Sequence, residues 1–224
     1  MCSRPNWTSM ETRWERLSGL TGIAFAVLIL AALAVQGVLP NADAPVDEVR
    51  DFFANDRDAI LTGVWLRFLA GFAFLWFLGT LRSALRRAEG GTGRLSAVAF
   101  GAGLVFLACG MVSNVALAGV AFTADRAIDD GVAVALLTVT HFGYIAGGMA
   151  LAWLLAATFF VVLRTGVFPA LVGWTGAAIG LAAIVCGLAF AGSRAELAAH
   201  PFFVLWILAV SVLLVRTPVV EPAR

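Results

Sequence analysis

The chain has 224 residues, of which 61% are hydrophobic and 13% charged, and a formal net charge of +1. An ordinary soluble domain has about 45–50% apolar and roughly 25% charged residues. A soluble body of this length cannot hide so much apolar surface, so the composition excludes a water-soluble enzyme or binding domain and points to a single integral membrane domain. The mean hydropathy of +0.94 agrees. No nucleic-acid partner is expected. All fifteen basic residues are arginine, a composition that, with the abundant Ala, Gly and Val, fits a GC-rich coding sequence.

A membrane-crossing helix needs about 20 mostly apolar residues. Runs of that kind lie at 20–39, 59–81, 95–122, 132–163, 167–190 and, more briefly, 202–215. The expected fold is therefore an all-α transmembrane bundle of about six spans at 20–215, between cytoplasmic tails at 1–19 and 216–224. The first run is longer than the h-region of a signal peptide and is read as a retained helix.

Orientation follows from arginine placement. Arg4, Arg13 and Arg16 precede the first run, and Arg82, Arg86, Arg87 and Arg94 join the second to the third. Arg164 joins the fourth to the fifth, and Arg216 and Arg224 follow the last. The other side holds Arg50, Arg57, Arg126 and Arg194. The positive-inside rule then puts both termini in the cytoplasm of a multi-pass protein of the plasma (inner) membrane.

Between the first two runs stands PVDEVRDFFANDRD. Val46, Val49, Phe52 and Phe53 recur at helical spacing with acids between them. This predicts a short amphipathic helix on the external surface, packed as a lid over the bundle, with Pro45 in its first turn and Asp43 as its cap.

The second run contains an arginine, in GVWLRFLAG. Arg67 is eight residues into its span, about 12 Å along the helix. Asn114 lies about 12 Å and His141 about 14 Å from the same membrane face. Three helices thus place a polar residue at one depth in the outer half, with Thr138 and Thr140 just above and Tyr144 one turn deeper. No acid lies deep in any span, so Arg67 has no carboxylate at its own level, and the candidates from above are Asp58, two to three turns up the same helix, and Asp56. An unpaired charge at the bilayer centre costs at least about 2.5–3.5 kcal/mol on insertion scales. Two roles fit. Arg67 either plays a structural part, reaching out to the outer headgroups or joining the helices by hydrogen bonds to Asn114, Thr side chains and backbone carbonyls, or it holds an anion, such as a lipid phosphate, a carboxylate or a small solute, with Asn114, His141 and Tyr144 lining the pocket. Its planar fork suits both.

Cys2, Cys109 and Cys186 form no C-x-x-C and stand at no zinc-ligand spacing. No metal, cofactor or catalytic residue is expected. His141 and the distant His200 sit at different depths, which argues against a bis-histidine haem. Gly143 with Gly147, and Gly176 with Gly180, let helices approach closely, within the bundle or in a homo-oligomer.

The segments LRSALRRAEGG at 81–91, LSAVAFG at 95–101, LRTGVFP at 163–169 and Gly173-Trp174 resemble those of a family of uncharacterised six-helix integral membrane proteins common in high-GC bacteria. The resemblance spans most of the chain and implies the six-helix fold. Its motifs are loop and helix-end signatures, and the family brings no established activity. The residues therefore support, first, a non-enzymatic membrane protein that binds an anionic lipid or a small hydrophobic or anionic ligand in an outer-half polar pocket. A small-molecule transporter comes second. A membrane enzyme comes third, since no H-E-x-x-H, G-x-S-x-G or P-loop pattern is present.

Overall fold

A computed structural model of the protein describes residues 7–123 and 130–216, with side chains at 19–122, 131–193, 195 and 197–216. The expectations placed on Cys2, on most of the two tails and on Arg126 lie outside the described residues. Among the described residues the chain forms seven α-helices, one 3-10 turn and no strand. They are α1 (Trp7–Gln36), α2 (Val46–Asn55), α3 (Arg57–Glu89), α4 (Arg94–Thr123), α5 (Asp130–Thr165), α6 (Ala170–Ala189) and α7 (His200–Arg216), with the 3-10 turn at Arg194–Leu197. Five helices are long and apolar enough to cross a membrane, α1, α3, α4, α5 and α6, and α7 is a shorter apolar helix.

The long helices form a ring in chain order. α1 packs on α3, α3 on α4, α4 on α5, α5 on α6 and α6 on α7, which returns to α1. Each helix sorts its residues by face. On α3 the buried positions Ile60, Val64, Ala70, Phe74, Phe77, Leu78 and Leu81 recur at helical spacing, while Trp65, Leu69, Phe72 and Trp76 are exposed. The exposed stripe is as apolar as the buried one, as lipid contact requires and water contact forbids.

Small residues set the closest approaches. A side chain at Gly143 would run into the Ser113 hydroxyl, and one at Gly147 would meet Cys109 and Phe106, so both glycines face α4. Gly176 faces Trp206 on α7 and Leu155, and Gly180 faces Ala152 and Leu155 on α5. All four glycines singled out by spacing are thus occupied by helices of the same chain.

Two apolar clusters fill the ring. The larger is rich in aromatic rings, with Phe25, Phe74, Phe77, Phe203 and Trp206. Its ring centroids lie 5.5 Å apart for Phe74 and Phe106 and 5.4 Å apart for Phe106 and Phe203. The smaller cluster joins Val49 and Phe53 of α2 to Leu39, Ile60, Val64, Leu117, Val120 and Leu137. α2 therefore lies across one end of the ring with its apolar face inward, the lid arrangement that its spacing predicts. Its start differs from expectation. Pro45 itself occupies the cap position, at φ −53° and ψ 141°, and no side chain caps the helix. Asp43 stays exposed, because the ring of Pro45 already sets the turn into the helix and the Val49 N–H bonds the Pro45 carbonyl at 3.1 Å.

α1 stops three residues before its apolar run ends. Gly37 adopts φ +71°, the left-handed region that terminates helices. The chain then bends inward, which buries Leu39 and Pro40.

Candidate functional site

Between the two apolar clusters lies a layer of polar side chains. Arg67 falls on the inward stripe of α3, one turn from Val64 and one from Ala70. Asn114 stands one turn from the buried Leu117, and His141 one turn from the buried Leu137. The register between helices fixes the level. The Thr140 hydroxyl donates to the Ser113 carbonyl across the α4–α5 seam at 3.3 Å, so Asn114 and His141 lie at one height. Gly71 abuts Met111. Arg67 is one turn above Gly71 on α3, and Asn114 is one turn above Met111 on the antiparallel α4, which brings Arg67 to the same level.

The partners of Arg67 are not those its sequence neighbourhood indicates. Its guanidinium donates to the side-chain oxygen of Gln36, the last residue of α1. Asp56 and Asp58 remain exposed. The bond is possible because Gly63, one turn from Arg67, lets Gln36 lie directly on the α3 backbone; a Cβ there would sit 2.9 Å from the Gln36 Cβ. Gln36 is 2% exposed, and its amide Nε2 has no protein partner. An arginine has only donors, so Gln36 must turn its oxygen toward Arg67 and its NH2 elsewhere.

Asn114 is 6% exposed. Its amide nitrogen donates back to the Gly110 carbonyl at 2.7 Å, and its Oδ1, also buried, has no protein partner. His141 is 1% exposed, and its Nε2 lies 3.1 Å from the Pro40 carbonyl. Since that carbonyl only accepts, the contact requires a proton on Nε2. It ties the α1–α2 connection to α5. Tyr144, a turn further along, is half-buried and sets its ring edge-on to His200 at 6.5 Å between centroids. The structure therefore brings Arg67, Asn114 and His141 into one layer but bonds them to Gln36, Gly110 and Pro40, and it directs Tyr144 toward α7. Gln36 is the member that spacing rules pass over, because nothing near it in sequence marks it as a partner of a residue 31 positions away.

Beside the layer, at the α2 end, an open cleft of about 390 Å³ lies between the α1–α2 connection, α5 and the α6–α7 turn, lined by Asn41, Asp43, Thr138, Phe142 and Ser193 among others. The Ala42 N–H bonds the Gly192 carbonyl there at 2.7 Å. Among the described residues no three His, Cys, Asp or Glu side chains gather at metal-ligating distance. The chain matches no family model, no curated protein and no solved structure.

Proposed function

We propose that this chain is a non-enzymatic, six-span protein of the plasma membrane, with both termini cytoplasmic, that holds an anionic group in the polar layer under α2. The group is a lipid phosphate, a carboxylate or a small anionic solute. One observation carries the reading. An inward-facing arginine is joined to a neutral amide, not an acid, and the NH2 of that same amide has no protein partner. Among the described residues Arg67 makes no ion pair. The layer thus holds an uncompensated positive charge and, on the neighbouring helix, a buried donor without a protein acceptor, and an oxyanion supplies the charge and the acceptors that they lack. Entry from the α2 side requires the lid to lift. A transport route is less favoured, since the packed phenylalanines of the larger cluster lie directly below the layer.

The test is native mass spectrometry of gently extracted protein, comparing wild type, Arg67→Gln and Arg67→Lys. Wild type retains an anionic species, Arg67→Gln loses it while staying folded, and Arg67→Lys recovers it in part, because an ammonium lacks the planar fork. Equal retention in wild type and Arg67→Gln overturns the proposal and leaves Arg67 as a structural residue. Reporter fusions after Arg87 and Arg164 are expected to read cytoplasmic, and a fusion after Asp56 external. An external signal after Arg87 overturns the orientation.

A further inference from the structure

At the end of the ring opposite α2 stands a second, separate set of arginines. α3 runs for 33 residues, about 50 Å, which exceeds the roughly 30 Å of a hydrocarbon core. Its last two turns therefore stand clear of the apolar region and carry Arg82, Arg86 and Arg87, all exposed. Arg94 at the start of α4 and Arg164 at the end of α5 are exposed at the same end.

These side chains are placed, not merely abundant. The Arg82 guanidinium lies over the Phe100 ring of α4 at 5.0 Å. The stem of Arg86 packs at Gly93, where a Cβ would come within 3.1 Å of its Cγ. Both arginines thus follow the α3–α4 seam, one turn apart. Arg164 comes close enough for its charge to act on Glu89.

In segments 81–95 and 163–170, Glu89 is the only acid, and it is already engaged. Its two carboxylate oxygens accept the N–H groups of Leu95 at 2.8 Å and Ser96 at 2.9 Å, so it caps the first turn of α4. Among the described residues, Arg82, Arg86, Arg94 and Arg164 form no ion pair. Exposed tryptophans stand toward this end of the ring: Trp76 on α3 and Trp174 in the second turn of α6. Tryptophan is enriched at the boundary between acyl chains and headgroups, so the arginines extend into the headgroup level.

We propose that the α3–α4 seam, with Arg82, Arg86 and Arg164 around the Glu89-capped turn, is a binding surface for the headgroup of an anionic phospholipid. Guanidinium groups recognise phosphate by paired N–H donors, and a headgroup without its own ammonium leaves a net negative charge for them to meet. The surface is independent of Arg67, which lies in the polar layer beneath α2.

The full-length protein in a neutral detergent is titrated with phosphatidylglycerol or with phosphatidylcholine. Bound lipid is read by native mass spectrometry, and melting temperature is read alongside. Wild type is expected to retain phosphatidylglycerol in preference to phosphatidylcholine. Each arginine near an anionic lipid surface is worth on the order of fivefold in affinity. The triple variant Arg82→Gln, Arg86→Gln, Arg164→Gln should therefore lose the preference by at least about tenfold. Arg67→Gln removes at most the one species held in the layer, and in that background the triple variant should still cause its full loss of preference, which separates this site from the proposed layer site. Should the triple glutamine variant not fold, single Arg164→Gln and the triple lysine variant carry the comparison, the first weakening the preference and the second preserving it. Equal binding of the two lipids by wild type, or an unchanged preference in the triple variant, overturns the proposal. Displacement of the lipid by inorganic phosphate overturns it in favour of a soluble-anion site.

Discussion

Arg67 and Gln36 share a hydrogen bond across the α1–α3 interface, although they are 31 residues apart and both lie among apolar side chains. The bond joins the end of one helix to the inward face of the next. It also leaves the Gln36 Nε2 facing away from Arg67 with no protein partner. Hydrogen bonds to charged groups contribute about 1.5–3 kcal/mol when buried. A double-mutant cycle of Arg67→Gln and Gln36→Ala, read as thermal stability in detergent, should give a coupling on the order of 1–2 kcal/mol. Additive effects would show that the two side chains do not act as a pair.

The α4–α5 seam depends on the missing side chain at Gly143, whose position abuts Ser113. Gly143→Ala should destabilise the bundle by about 1–3 kcal/mol through overpacking. Gly101 has nothing within 4 Å of where a Cβ would sit. There the same substitution should be neutral or stabilise by up to about 1 kcal/mol, since glycine weakens a helix interior. Equal melting temperatures for the two variants would contradict this assignment of the seam.

Phe53 anchors the lid, with its side chain buried among Leu39, Ile60 and Leu117. Phe53→Ala should cost about 3 kcal/mol of local stability. Because α2 covers one end of the ring, the effect should appear as faster amide exchange in α2 and in the first turns of α3. Protection in the larger aromatic cluster should be little changed. A uniform loss across all helices would mean that α2 is not a separable cover.

Glu89 gives a pH-dependent contribution outside the apolar region. Partial burial acts to raise its pKa, but the N–H groups of Leu95 and Ser96, the Ser96 side chain and nearby Arg164 outweigh it, so the pKa lies below its ordinary value of 4.5. A carboxyl depressed in the folded state stabilises above its ordinary pKa and loses that contribution as pH falls through its folded value. The melting temperature of wild type should exceed that of Glu89→Ala by a constant amount from neutral pH down to about 4.5, and the gap should close below that. A gap that persists unchanged into strong acid would show that the capping carboxylate charge is not involved.

Much of the architecture is local and therefore legible in the chain. Apolar runs of membrane-spanning length specify helices because an unpaired backbone group in hydrocarbon costs several kcal/mol. The alternation of acids with Val49 and Phe53 specifies which side of α2 turns inward. The periodicity that buries Ile60, Val64, Ala70 and Phe74 also places Arg67 inward. The pairings belong to the tertiary structure alone. On α4 and α5 the lipid-facing and inward residues are equally apolar, so hydropathy cannot tell one face from the other. The inward face is chosen by close approaches such as Gly143 on Ser113. Nor does spacing connect His141 to the Pro40 carbonyl, 101 positions away. That contact, and the choice of Gln36 over Asp56 or Asp58 as the partner of Arg67, follow from where Gly37 ends α1 and turns the chain inward. Only the packed ring brings that turn beside α3 and α5.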